Sequence, residues 1–445
     1  AYREFLEAEK AEWTAREASL AELQQREPEP VGDLPVFAAR EEVVAKLAAR
    51  PVVLLTGETG SGKTLLGPFL ALEAGLGQRG MIVQTEPRRV AARQIARRLS
   101  QMCERKLGDA FGLQTRVDRA LSSRTLCKIA TDGILLNEVR DDPLLSRYEL
   151  IVIDEAHERS INIDLLLGLC KRLLAERSDL RVLIASATID EEKFARFFDL
   201  GEDQIVRVPG RLYPVELRYH PSELDAAPDA LPDPLEDLPR RVALAVRRVQ
   251  HEGPGDILVF LPRVREIQAA AQEIRKLSGR ELDVLPMHGA LSPEENDRIF
   301  LPTARRKVVL ATNIAETSIT VPGIRFVIDS GYVNLTRYHA KSGISSLKPE
   351  WVSQASARQR LGRAGRIEHG VCIRLYAEEE YEAFEPFTDP EILRTDLAHV
   401  VLYMRDVGIA NVRQFPWVDK PDGQQFNNAH RTLVELGALT PGKQR

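Results

Sequence analysis

The chain has 445 residues, 44% hydrophobic and 29% charged, which is longer than one hydrophobic core supports, so two to four globular domains are expected. With 61 Lys and Arg against 66 Asp and Glu, the formal net charge of −5 excludes a generally basic nucleic-acid binder. It does not exclude a motor that keeps its basic residues inside a channel, whereas the lack of any apolar run near ~18 residues argues against a membrane span.

Up to about residue 27 the sequence is rich in Glu, Ala, Gln and Arg. Tyr2, Leu6, Trp13 and Leu20 are spaced for one helical face, and Pro28, Pro30 and Pro35 come after them. Residues 1–30 are therefore expected to form a charged helix whose role is solvation or packing. The N-terminus is too acidic for a signal peptide. Residues 31–218 alternate short apolar runs with helical patterns, with candidate strands at 52–55, 81–83, 150–153 and 182–185. Residues 219–240 are dense in proline and acidic residues and read as a linker. A second block of the same kind spans 241–382, with candidate strands at 257–260, 308–310, 326–328 and 371–375. Short buried strands separated by helices imply α/β domains with parallel sheets covered on both faces. From 383 to 445 the pattern turns helical and polar. Cys103, Cys127, Cys170 and Cys372 form no CxxC pair, which points away from zinc and disulfides and toward a reducing cytoplasm.

Four runs carry chemistry. Gly57, Glu58, Thr59, Gly60, Ser61, Gly62, Lys63 and Thr64 fit GxxxxGK[ST] directly after a strand. Backbone N–H groups of such a loop converge on phosphates at a helix N-terminus; Lys63 reaches the β- and γ-phosphates and Thr64 ligates Mg²⁺. A glycine-rich turn without ligand needs neither Lys63 nor Thr64. Asp154 and Glu155 come directly after the apolar run 151–153 in DEAHERS, so they enter the crevice at a strand end. Asp154 is placed to hold Mg²⁺ and Glu155 to bind near it and deprotonate the attacking water. Ser186 and Thr188, in SAT after another strand, are uninformative alone because small hydroxyl residues often cap helices. In the second block, residues 359–366 read QRLGRAGR; Arg363 and Arg366, three apart on an expected helical face, offer donors to a γ-phosphate, and Gln359 can position the water.

With these runs in order, the chain resembles the DEAH-box helicases of superfamily 2. Supporting stretches are TEPRRVAA (85–92), TDGILL (131–136), GDILVFLP (255–262), ATNIAETSITVPGI (311–324) and FTDPEILRT (387–395), the last two most like the bacterial HrpA-type enzymes. The resemblance implies two tandem RecA-like P-loop NTPase domains followed by the start of a winged-helix domain at 383–445. It implies an ATP hydrolase, tolerant of other NTPs, that couples hydrolysis to 3′-to-5′ movement on single-stranded RNA or remodels RNPs. Carried over by residue, Arg88, Arg89, Thr131, Asp132, Gly133, Asn313 and Thr317 contact RNA, His157, Ser186 and Thr188 couple hydrolysis to movement, and Arg98 and Phe300 clamp the adenine. Residues 331–351 fall where the family carries a strand-separating β-hairpin. Expected partners are RNA or RNP and a protein activator, for a cytoplasmic monomer.

Three positions depart from the family pattern: Glu86 for Gln, beside the RNA-facing arginines, Arg263 for Gly after FLP, and Asn334 for Arg near the hairpin. The start at Ala1 and stop at Arg445 suggest a trimmed piece lacking the bundle and OB-fold domains of the family. Such a piece is expected to hydrolyse ATP but grip RNA weakly. Competing readings are a DNA-directed helicase and a nucleotide-switched scaffold. The scaffold reading fits poorly with intact Lys63 and Glu155, and an unrelated P-loop kinase or transporter ATPase would lack the second block.

Overall fold

The computed structural model describes residues 2–24, 34–58, 60–187, 191–210, 213–220, 235–279, 281–317, 321–339, 342–366 and 368–440. Thr59, Thr188 and most of the expected linker lie outside the described residues. The chain divides into two units, one of Ala1–Gly210 with Tyr338–Ser345 and Pro390–Arg445, the other of Arg211–Arg337 with Ser346–Asp389.

Among the described residues, the first unit is built on eight strands: β1 (Val52–Gly57), β2 (Met81–Glu86), β3 (Phe111–Gln114), β4 (Arg119–Ala120), β5 (Cys127–Thr131), β6 (Tyr148–Ile153), β7 (Arg181–Ser186) and β8 (Ile205–Val208). They lie in the order β4-β3-β5-β2-β6-β7-β1-β8, parallel except for the β3–β4 pair. Every residue of β1 is buried, as a strand covered on both faces requires. In a parallel sheet all strands end at one edge, so the residues after β1, β2, β5, β6 and β7 share a single rim. That rim is where ligands bind in open α/β sheets.

The second unit has its own parallel sheet of β9 (Val215–Tyr219), β10 (Asp256–Phe260), β11 (Leu282–Met287), β12 (Arg306–Ala311) and β13 (Ile324–Asp329), which β16 (Gly370–Arg374) rejoins; β14 (Tyr332–His339) and β15 (Ile344–Trp351) form a separate two-stranded sheet, whose residues 338–339 and 344–345 are grouped with the first unit. Its order is β11-β12-β10-β13-β16-β9. All eight strands expected from the sequence fall at observed strands. The sequence pattern places β9 in the first block, but it pairs in parallel with β16 as the edge of the second sheet. Its sequence VELRY alternates apolar and charged residues, as suits a half-solvated edge.

The tail, expected to be the start of a winged-helix domain, groups with the first unit. Residues 390–440 are helical, at Glu391–Arg394, Ala398–Asp406 and Gly423–Glu435, with no described strand after β16. Ile392, Leu397, Val400, Met404, Phe415, Trp417 and Phe426 share one core with Leu166, Cys170 and Leu173 of the helix Ile161–Glu176. The Tyr403 hydroxyl also donates to the Leu136 carbonyl at 2.8 Å. Gly168 makes the docking possible, because a Cβ there would lie 2.2 Å from the Phe415 ring. Gly168→Val should therefore loosen the C-terminal segment at a cost of about 1–3 kcal/mol. Faster limited proteolysis after residue 389, with the rest of the first unit protected, is the expected readout; an unchanged cleavage pattern would contradict it.

Candidate functional site

The loop after β1 folds as its sequence demands. Gly60 and Gly62 adopt φ of 93° and 92°, which only glycine takes without strain. A Cβ on Gly57 would meet the Val208 carbonyl at 2.6 Å. The Lys63 ammonium donates to the carbonyls of Gly57 at 2.6 Å and Glu58 at 2.9 Å, so it lies across the loop it would open toward a phosphate. Lys63 starts the helix Lys63–Glu73, with Gly62 as its N-cap. Pro68 inside this helix has no N–H for the Thr64 carbonyl four residues back. Gln84 Nε2 supplies the missing donor at 3.1 Å. The proline thus ties the phosphate-binding helix to β2.

The same Gln84 Nε2 donates to Glu86 Oε1 at 2.9 Å and faces Asp154 Oδ2 at 3.5 Å. Three buried polar side chains therefore meet beside Thr64. Burial first, then the charge of Glu155, pushes the Asp154 carboxyl up to about 6, opposed by its hydrogen bond with Thr64 and by Lys63. Glu86 is fully buried, and burial with the charges of Asp154 and Glu155 holds it well above the ordinary range. Its side chain thus turns toward the nucleotide side of β2 and not toward the arginines, where the family pattern sets it. Asp132, expected among the RNA contacts, is likewise buried, its carboxyl pushed up to about 7 by burial and by Glu158. Thr131 and Gly133 on either side remain partly exposed.

Carboxyls raised in this way bind protons more tightly folded than unfolded, so their contribution to stability is complete below pH ~4 and is lost as pH rises through about 6 to 7. The ligand-free chain should lose thermal stability between pH 5 and 8. Glu86→Gln should raise Tm at pH 8 by roughly 2–4 °C per kcal/mol relieved and change it little at pH 5. A variant with the same pH dependence as the parent would count against the cluster. Asp154 and the Thr64 hydroxyl are hard oxygen donors of the kind Mg²⁺ takes, and Glu86 Oε2 is buried with no hydrogen-bond partner, so the cluster fits a cation.

After β6 the chain makes a constrained turn. Glu155 and Arg159 have φ of 50° and 48°, flanking the 3₁₀ turn Ala156–Glu158, and non-glycine residues in this region are strained. The Glu155 N–H donates to Asp154 Oδ1 at 2.8 Å. His157 Nδ1 accepts the Ala187 N–H at 3.2 Å, which leaves the proton on Nε2, facing Glu155 Oε2 at 3.4 Å. His157 thus bridges the turn after β6 to the residue after β7, next to Ser186. The Ser186 hydroxyl itself donates to the Ala187 carbonyl.

The other expected residues are spread over both units. Arg88 is bound to Glu158 of the turn at 3.3 Å, whereas Arg89 is exposed. Arg98 is exposed on the helix Arg89–Met102. In the second unit, Phe300 ends the 3₁₀ turn Arg298–Phe300 and is half-buried. Asn313 is exposed and Thr317 buried. Gln359 lies on the helix Gln354–Leu361, which stops before the arginines, so Arg363 and Arg366 sit in the turn beyond it and do not share a helical face. Arg363 is buried, and its guanidinium donates to the carbonyls of Glu316 and Thr317. Gly365 is needed because a Cβ would lie 2.5 Å from the Tyr213 carbonyl. Sequence reasoning missed Arg360, whose ion pairs with Glu316 and Asp329 anchor the whole run. Arg263 is tied to Glu266 of its own helix at 2.6 Å.

Comparison with known proteins agrees with this layout. The DEAD/DEAH box helicase model matches residues 38–197, and the Helicase conserved C-terminal domain model matches residues 240–368. The ATP-dependent RNA helicase HrpA of Escherichia coli is 44% identical over 412 residues, 93% of this chain and 31% of the relative. A probable ATP-dependent RNA helicase DHX35 homolog of Caenorhabditis elegans is 41% identical over 91% of this chain and 56% of its own length. The chain thus spans between about a third and just over half of these relatives. The crystal structure of the Escherichia coli DEAH/RHA helicase HrpB matches with TM-score 0.82 and 37% identity, over 92% of this chain and 51% of that one. Two helicase domains in tandem, with the P-loop and DEAH runs at one sheet rim, place the chain in the DEAD/DEAH box helicase family.

Proposed function

We propose that the chain is the motor core of an ATP-dependent RNA helicase or RNP remodeller, moving 3′ to 5′ on single-stranded RNA. The observation that carries this reading is the bridge from Glu155 through His157 to Ala187. It joins the candidate water-activating carboxylate to the strand end where Ser186 and Thr188 are expected to couple turnover to movement. The names of the relatives support RNA as the track.

In this reading the amides of residues 57–62 and Lys63 hold the β- and γ-phosphates. Thr64 and Asp154 would hold Mg²⁺, which screens phosphate charge when bound. Glu155 takes the proton of the attacking water, Gln359 orients that water, and Arg363 and Arg366 stabilise charge on the γ-phosphate. Arg363 must then exchange its carbonyl partners for phosphate, a switch that links nucleotide state to the Glu316–Thr317 backbone. Arg98 and Phe300 stack on the base. Arg89, Thr131, Gly133 and Asn313 are the exposed or half-exposed candidates for the RNA backbone; of the others expected there, Arg88 is paired with Glu158, and Asp132 and Thr317 are buried.

Fluorescence anisotropy of matched single-stranded RNA and DNA oligonucleotides, with and without a nonhydrolysable ATP analogue, tests the track. RNA affinity that shifts with the analogue and exceeds DNA affinity is expected. Equal binding of both, or binding indifferent to nucleotide, would contradict it.

A further inference from the structure

The stretch FTDPEILRT and the residues after it have no part in the chemistry described so far, yet they grip the DEAH turn. Glu391 donates its backbone N–H to the Arg159 carbonyl at 3.0 Å, and its carboxylate accepts the Ile161 N–H at 3.0 Å. Asp419 Oδ2 accepts from Arg159 Nη2 at 2.7 Å and from Lys193 Nζ at 3.1 Å. Arg159 also makes a two-pronged pair with buried Asp164, at 2.7 and 3.1 Å. All of these residues belong to the first unit.

The arrangement has a mechanical sense. Glu155 and Arg159 are both strained at positive φ, so the turn between them keeps its shape only if both ends are held. The upstream end is the last residues of β6. The downstream end is Arg159, with its carbonyl, its guanidinium and the next amide but one all bound by the C-terminal segment. Through Lys193, which lies on the helix Glu191–Phe198, Asp419 also reaches the element beyond β7. One carboxylate thus ties together the two chain segments that His157 bridges on the catalytic side.

We propose that Asp419 and Glu391 are positioning residues for ATP hydrolysis: the C-terminal segment clamps the turn that carries Glu155 and His157. The inference rests on the proposed function, and the clamp works through Arg159 without touching nucleotide. Loss of a positioning group that displaces a reacting carboxylate by a fraction of an ångström costs turnover while leaving substrate binding intact.

The test compares wild type, Asp419→Asn, Asp419→Glu and Lys193→Met by ATP turnover and by amide hydrogen exchange. Asp419→Asn should lower kcat about 10-fold with KM for ATP within about twofold. It should also speed exchange at the Ile161 and Ala187 amides. Asp419→Glu should restore most of kcat. Lys193→Met, at a more exposed site, should give a smaller loss in the same direction. Unchanged kcat and unchanged exchange at Ile161 and Ala187 in Asp419→Asn, with Lys193→Met also unaffected, would overturn the clamp. A wild type without ATP turnover would overturn the proposed function instead, and the exchange at Ile161 and Ala187 would still decide the clamp.

Discussion

Glu155→Gln is expected to lower ATP turnover by about 10²–10⁴-fold while nucleotide binding stays near normal, because a general base contributes on that order. The geometry separates its role from that of its neighbour. Asp154 is buried at the end of β6, joined to Thr64 and facing Gln84, so its carboxylate is tied to the phosphate-binding helix. Glu155, one residue on, turns out of the strand at φ 50° and is only partly buried. Its backbone amide is held by Asp154 and its carboxylate faces His157 Nε2. Gln keeps the size and the contact to His157 but cannot take a proton. Single-turnover hydrolysis together with titration of a fluorescent ATP analogue measures both effects. Near-normal hydrolysis in the variant would refute the assigned base.

The second large effect is expected in stability. Arg360 is 1% exposed, with Nε 3.0 Å from Glu316 and Nη1 2.7 Å from Asp329. Asp329 is itself fully buried, accepting from the Tyr376 hydroxyl at 2.8 Å and the Gly331 amide at 2.9 Å. Arg360→Ala would leave two carboxylates facing a void without their cation. Breaking a buried pair in this way costs roughly 3–5 kcal/mol. Denaturant unfolding should show the second unit melting first, and the variant should be poorly soluble. An unfolding free energy within about 0.5 kcal/mol of the parent would show that the network is dispensable. Arg363 and Arg360 are neighbours in one sequence pattern with different duties. Arg360 is fixed by ionic partners, whereas Arg363 grips the backbone carbonyls of Glu316 and Thr317.

Much of this was legible in the residues. Strands 150–153 and 182–185 are continuous apolar runs, and the P-loop and DEAH spacings set the phosphate-binding and carboxylate residues directly after strands. Less visible were β3 and β5, because β5 carries Lys128 and a lysine suggests surface. Its ammonium is buried against Glu138 at 2.6 Å, a partner on the next helix that no periodicity marks. The side of β2 that Glu86 faces emerges only when strand alternation is carried through: Gln84 and Glu86 share one face of β2, and that face is the nucleotide side. The helical face expected for Arg363 and Arg366 fails because the helix ends at Leu361, with Gly362 as its C-cap. Docking of residues 390–440 on the first unit could not be read at all, since it depends on Phe415 meeting Gly168, a glycine far earlier in the chain.

ATP hydrolysis with and without single-stranded RNA, and with DNA of the same sequence, tests the central claim most directly. Hydrolysis by the parent that rises with RNA and not with DNA, and that is absent in Lys63→Ala, is the expected result. Hydrolysis that ignores RNA, or responds equally to DNA, would contradict an RNA-driven motor.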